Sequence, residues 1–155
     1  MSELKQRMSN PAALLPETYQ GVGHLMAAIH SGGVPEQTLE LVHLRASQIN
    51  GCTACIHTGV QNAAKVGLST ERMLALPGWA ESPLFDDAER AALALAEAMT
   101  RLADNPGSVS EEIWDAVADH FDEKQLAAII LHVATANFFN RLNTTVRQAP
   151  VDSWS

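Results

Sequence analysis

The sequence predicts an all-α fold, a compact helical bundle. Three observations carry that prediction. Apolar residues recur at three- and four-residue spacing along most of the chain. No segment alternates apolar and polar residues in the manner of a half-buried strand. Aromatic residues make up only 5% while Ala and Leu are plentiful, which favours closely packed helices over sheets. At 155 residues with no internal repeat, the chain reads as one domain over 1–155, with its core at about 17–146.

Pro11 to Pro16 is a turn-rich lead-in. Tyr19, Val22, Leu25, Met26 and Ile29 then lie at helical spacing, which predicts a helix over Glu17–His30, stopped by Ser31-Gly32-Gly33. Pro35 suits the first turn of the next helix, where its missing N–H costs nothing. That helix should reach about Gln48, with Leu39, Leu41, Val42, Leu44 and Ile49 as its apolar side. Asn50-Gly51 is a turn, and a third helix follows from about Cys52 to Val66, with Gly67 as its stop. A short helix over Glu71–Leu76 ends at Pro77-Gly78. Asp86 and Glu89 have the spacing of a capping box for an Ala-rich helix to about Leu102. Asn105-Pro106-Gly107 breaks it, and Ser108 or Ser110 caps a helix through Ile113, Trp114 and Val117. The last helix, Glu123 to about Leu142, is apolar on nearly all sides, so it should be buried in a bundle or between subunits. The tail after Thr144 reads as loose.

Ten Lys and Arg against eighteen Asp and Glu leave a formal net charge of −8. Such a chain repels a phosphate backbone and gains nothing from an anionic bilayer. The polar stretch Met1–Asn10 does not resemble a signal peptide, and no run of about 18 apolar residues appears. The expected compartment is the cytoplasm. There, two cysteines three apart are redox or metal ligands more often than a structural staple.

The two cysteines of the chain, Cys52 and Cys55, follow the Asn50-Gly51 turn at the N-terminal end of a helix. At i and i+3 their side chains share one face, within reach of a disulfide. The partial positive charge and unpaired N–H groups of a helix start favour a thiolate. A low-pKa thiol beside a second thiol can attack an O–O or S–S bond and then resolve itself. Two inert buried cysteines are the plain alternative. A zinc site would need two further ligands, for which His43 and His57 are available, but no second Cys pair exists. There is no G-x-S-x-G, no phosphate-cradling glycine loop and no H-E-x-x-H, and no cofactor is expected.

The stretch from Glu40 through His43, Arg45, Asn50 and Gly51 to Cys52 and Cys55 resembles the core of the alkylhydroperoxidase D-like proteins of the carboxymuconolactone decarboxylase superfamily. Trp79, Phe85 to Leu93 and the late Asn137 to Arg141 continue the resemblance, which spans roughly Tyr19 to Val146. It implies an all-helical subunit assembled as a homo-oligomer, a trimer or hexamer, and peroxidase activity through the cysteine pair. The implied partners are a small hydroperoxide and an external dithiol of dihydrolipoamide type. It also implies a proton relay of a glutamate twelve residues before the first Cys, here Glu40, and a histidine four after the second. That second position is Gly59 in this chain. Either a nearby histidine substitutes, or the relay is broken. His57 lies about 200° round a helix from Cys55. His43 shares a helical face with Glu40, so a Glu40–His43 pair could act as base and orienter.

Taken with the dithiol chemistry of the pair, the resemblance implies a thiol-dependent hydroperoxide reductase with Cys52, Cys55, Glu40, His43 and His57 as its catalytic set. Helix-end electrostatics favours Cys52 as the attacking sulfur, whereas the relay implied by the resemblance leads to Cys55. A general thiol–disulfide oxidoreductase and a non-catalytic redox-sensing or structural oligomer are the alternatives. Arg45 is expected to hold Glu40 or a neighbouring helix, and His24 and His30 to be packing or surface residues. His132, Asn137, Asn140 and Arg141 should form a structural network. Trp79 and Trp114 read as core or interface anchors.

Overall fold

The computed structural model describes residues 5–151, so the first part of the polar N-terminal stretch and the end of the tail lie outside the described residues. Among the described residues the regular structure is helical throughout: α1 (Pro11–Leu14), α2 (Glu17–His30), α3 (Glu36–Asn50), α4 (Thr53–Lys65), α5 (Thr70–Ala75), a 3-10 segment (Leu76–Glu81), α6 (Asp87–Thr100), α7 (Glu111–Ala118) and α8 (Glu123–Val146).

Most helix starts follow from local chemistry. Asp86 and Glu89 form the anticipated reciprocal capping box of α6, and Asp122 with Gln125 forms another for α8. Ser110, not Ser108, caps α7. Ser108 instead donates its hydroxyl to the Ala98 carbonyl. Pro77-Gly78 does not end the helical path. Pro77 falls at the start of the 3-10 segment, where its missing N–H is harmless, and only Gly78 leaves helical torsions.

Helix α3 is the centre of the bundle and packs on α8, α6 and α4. Its apolar residues serve two sides rather than one. Leu39 and Val42 join Ile29, Leu95, Val117, Ile129 and Val133 in the larger core. Leu41 and Leu44 face a second cluster with Ala63, Leu68, Leu76, Phe85 and Leu93. The alanines of α6 explain its closeness to α3: Ala92 and Ala96 are wholly buried and let the axes approach. Arg45 binds the neighbouring helix, its Nε 2.6 Å from Glu97 Oε1, the same oxygen that accepts Trp79 Nε1 at 2.7 Å.

Trp114 is 40% exposed, so of its two expected roles, core or interface anchor, the core one is excluded. The stretch just after Thr144 is not loose: α8 continues to Val146, and Gln148 N–H bonds to the Asn143 carbonyl at 2.8 Å. Within the single subunit α8 is buried on one side only, so of its two expected settings full burial inside the bundle is excluded. Ala127, Leu131, Ala134 and Phe138 form an exposed apolar stripe along the other. No helix among the described residues is long and apolar enough to cross a membrane.

The capping box of α6 is separable from the core. Asp86→Ala should lower stability by about 0.5–2 kcal/mol, read as a lower denaturant midpoint at unchanged slope.

Candidate functional site

The cysteine pair sits where α3 hands over to α4. Gly51 caps α3 in the left-handed conformation, φ 65°, and Cys52 N–H then bonds to the Ser47 carbonyl at 3.0 Å. Cys52 is thus the N-cap of α4 rather than its first helical residue. Its Sγ accepts the backbone N–H of Cys55 at 3.3 Å. The two cysteines are joined as a disulfide with Cα atoms 5.3 Å apart, and both are buried.

A second donor reaches the other sulfur. Asn143 Nδ2, on α8, lies 3.3 Å from Cys55 Sγ. Asn143 Oδ1 accepts from Asn10 Nδ2 at 2.8 Å, and Asn10 Oδ1 accepts the Ala12 N–H at 3.1 Å. Each sulfur therefore has one N–H donor. Beside the pair opens a groove of about 280 Å³, lined by Cys52, Thr53, Ala54, Thr144, Arg147 and Gln148 among others.

The other predicted residues divide into two groups. Glu40 and His43 come together as their spacing implied: Oε2 and Nδ1 are 3.3 Å apart, with side chains only 13% and 18% exposed. Across from them is Gly59. A Cβ on Gly59 would stand 2.6 Å from Leu44 Cδ2 and 3.2 Å from His43 Cε1, so the His43 ring already lies against the position where the resemblance would put a histidine. His57 is engaged along its own helix, with Nε2 3.3 Å from Gln61 Nε2. Arg45 does not join Glu40.

The late polar residues do form a network, and it pins the turn before Cys52. Asn50 Nδ2 donates to both Asn137 Oδ1 and Asn140 Oδ1 at 2.9 Å. Asn140 in turn donates to Ser47 Oγ at 3.0 Å, and Arg141 donates to Asn137 Oδ1 at 3.1 Å. His132 stands outside that network, contrary to expectation. Both its ring nitrogens are buried and make no hydrogen bond of ordinary geometry among the described residues, and its ring centroid is 6.0 Å from that of His43. Burial, and then the nearby His43 and His30, push its pKa down to about 3.

Sequence reasoning missed Asn10 and Asn143. The one available signal was that Asn143, in a largely apolar helix, would need a partner if buried. Among the described residues no group of three or more His, Cys, Asp or Glu is arranged to hold a metal ion.

Known proteins share this chain's sequence pattern and its fold. The model of the carboxymuconolactone decarboxylase family matches residues 16–98, which include Glu40, His43, Cys52, Cys55 and Gly59. An uncharacterised Bacillus subtilis protein, YdfG, is 34% identical over 106 residues, 68% of this chain and 71% of that one. The uncharacterised YnjA of Escherichia coli is 33% identical over 107 residues, 68% of this chain and 57% of that one. A solved structure from Agrobacterium tumefaciens, of a protein of unknown function provisionally assigned to AhpD-type antioxidant defence, superposes with a TM-score of 0.86. It is 28% identical and covers 96% of this chain and 100% of its own. The apo debrominase Bmp8 shares the fold, with a TM-score of 0.78 at 22% identity over 90% of this chain and 74% of its own.

The His132 environment sets a pH dependence of stability. An unfolded histidine takes up its proton near pH 6.5, while His132 in the fold resists it down to about 3. The unfolded state then binds more protons, so stability is full above 6.5 and falls as the pH drops towards 3. The slope is at most about 1.4 kcal/mol per pH unit. His132→Leu should flatten the fall in thermal midpoint between pH 6.5 and about 5, a window chosen above the usual carboxylate range.

Proposed function

The chain belongs to the carboxymuconolactone decarboxylase family, and from that premise we propose that it is a thiol-dependent hydroperoxide reductase, an antioxidant peroxidase. The observation that carries the reading is the Cys52–Cys55 disulfide at the start of α4, with an N–H donor on each sulfur and a groove beside it. Donors of that kind favour a thiolate over a thiol.

In the proposed cycle a thiolate of the reduced pair attacks the terminal oxygen of the hydroperoxide. The O–O bond breaks, the alkoxide leaves and takes a proton, and the sulfur becomes a sulfenic acid. The second thiol condenses with it, the disulfide forms and water departs. An external dithiol then attacks the disulfide, passes through a mixed disulfide and leaves oxidised, returning two thiols. A reducing compartment such as the cytoplasm supplies a reductant of that class.

Glu40 and His43 move the protons in this reading. Support comes from the 3.3 Å Glu40–His43 contact and from the His43 ring lying against Gly59, one helical turn after Cys55. A histidine from α3 thus fills the role that a histidine on α4 would otherwise hold. His57 is the lesser candidate, since it is engaged with Gln61. We also propose that the exposed stripe of Ala127, Leu131, Ala134 and Phe138 packs against a second copy of the chain, as a homo-oligomer of the kind the family resemblance implies.

The direct test is a free-thiol titration of the reduced protein before and after one equivalent of an organic hydroperoxide at neutral pH. Both thiols should disappear together and return with a dithiol. Thiols that survive the peroxide would overturn the peroxidase reading. The relay is tested by rescue. His43→Ala should lower peroxide consumption by about a hundredfold or more, in the range expected for a lost acid–base group. Gly59→His alone should perturb the fold, because even a Cβ there meets Leu44. Gly59→His combined with both His43→Ala and Leu44→Ala, which clears the space a side chain at 59 enters, should recover activity relative to His43→Ala with Leu44→Ala. If His43→Ala keeps full activity, the relay is wrongly assigned.

A further inference from the structure

The hydrogen bonds behind Cys55 have a direction that can be fixed without assuming anything about sulfur. The donor–acceptor sense of a side-chain amide is ordinarily ambiguous. Here a backbone group settles it. The Ala12 N–H can only donate, so Asn10 must face it with Oδ1, at 3.1 Å. The Asn10 NH2 is then turned towards Asn143 Oδ1 at 2.8 Å and Gln148 Oε1 at 3.3 Å. Asn143 must accept from Asn10 with its oxygen, and its own NH2 is left facing Cys55 Sγ at 3.3 Å. Asn10, Asn143 and Cys55 are all buried, so water does not compete with this chain of bonds.

The segment carrying Asn10 is itself tied down. Arg7 N–H bonds to the Val146 carbonyl and the Arg7 guanidinium to the Thr145 carbonyl, both at 2.8 Å. Asn10 is thereby held against the end of α8. Both asparagines lie outside the residues 16–98 that match the family model, so the family pattern does not account for them.

We propose that Asn143 is a catalytic residue that stabilises the Cys55 thiolate through its Nδ2–H, and that Asn10 is the positioning residue that fixes which end of the Asn143 amide meets the sulfur. The proposal rests on reading the cysteine pair as a reacting dithiol. A disulfide sulfur is a weak acceptor and a thiolate a strong, charged one, so the bond strengthens when the pair is reduced and Cys55 loses its proton. That difference lowers the Cys55 pKa and raises the fraction of thiolate at neutral pH. It adds to the helix-start field at Cys55 without reaching Cys52, whose sulfur has the Cys55 N–H instead.

The test uses the full chain with Cys52→Ser, which keeps an N-cap side chain at 52 and leaves Cys55 as the sole thiol. Its ionisation is followed by thiolate ultraviolet absorbance and by the pH dependence of alkylation, neither of which requires peroxide turnover. Glu40 and His43 on α3, Arg147 at the end of α8 and His57 on α4 are unchanged in every variant and set a common baseline. Asn143→Asp, which keeps an acceptor for Asn10 but offers the sulfur no donor, should raise the Cys55 pKa by about one unit, a tenfold loss of thiolate below it. Asn10→Asp offers Asn143 only acceptors, so the Asn143 amide should turn over and give a rise of similar size without touching sulfur. Gln148→Glu adds the same charge beside Asn10 while keeping the acceptor, and should shift the thiol much less. Asn10→Asp and Gln148→Glu keep the test decisive should Asn143→Asp fail to fold. Folded variants of Asn143 and Asn10 with the parent Cys55 pKa would overturn the proposal. A Gln148→Glu shift equal to that of Asn10→Asp would overturn the positioning role of Asn10. A failure of peroxide reduction with the thiolate shifts intact would fall on the proposed activity instead.

Discussion

Gly51 takes a left-handed conformation, φ 65°, that costs an L side chain about 1–2 kcal/mol, and that torsion lets α3 end and α4 begin within two residues. The rest of the site is a consequence of this turn. Because α3 stops at Asn50, Cys52 becomes an N-cap and Cys55 follows one turn in, with both sulfurs at the positive end of a helix. Because α3 is also the central helix of the bundle, the turn is held from behind. Asn50 donates to two asparagines of α8, and Ser47 accepts from one of them. The residue before the glycine is fixed by tertiary bonds and the residue after it by a backbone bond to Ser47.

The position of α3 also accounts for the pairing of Glu40 with His43. With Leu39 and Val42 in one cluster and Leu41 and Leu44 in the other, α3 has little polar surface left. Glu40 and His43 occupy part of it, largely shielded, and lean on each other. Gly59 then becomes a packing requirement. Any side chain there meets Leu44, and the His43 ring is the neighbour on the other side. The absence of a histidine at position 59 on α4 and the presence of His43 on α3 are two descriptions of the same filled space.

Buried polar groups in the bundle fall into two kinds. Asn10, Asn137, Asn140 and Asn143 all have partners, and three of them touch the cysteine turn or the sulfur directly. Their desolvation is offset by bonds that fix the site. His132 is of the other kind, buried beside His43 with no hydrogen bond of ordinary geometry at either ring nitrogen among the described residues and a strongly depressed basicity. With its pKa pushed down to about 3 it is neutral at neutral pH, so it adds no positive charge beside the Glu40–His43 pair.

The sequence by itself determined the local features: the helical class, the capping box of α6, the Asn50-Gly51 turn, the placement of Cys52 and Cys55 at a helix start, and the Glu40–His43 face. Each depends on residues no more than four apart, where helical geometry fixes the relation between side chains. Tertiary structure alone decided the rest. Arg45 chose Glu97, 52 residues away, over Glu40, five positions back, because α6 packs against α3. Asn10 met Asn143 across 133 residues, and Asn143 met Cys55 across 88. Leu131 and Phe138 remained exposed although their helix is apolar on most sides. Helical periodicity says which residues share a face; which faces meet is set by packing of the whole chain, and no spacing in the sequence encodes it.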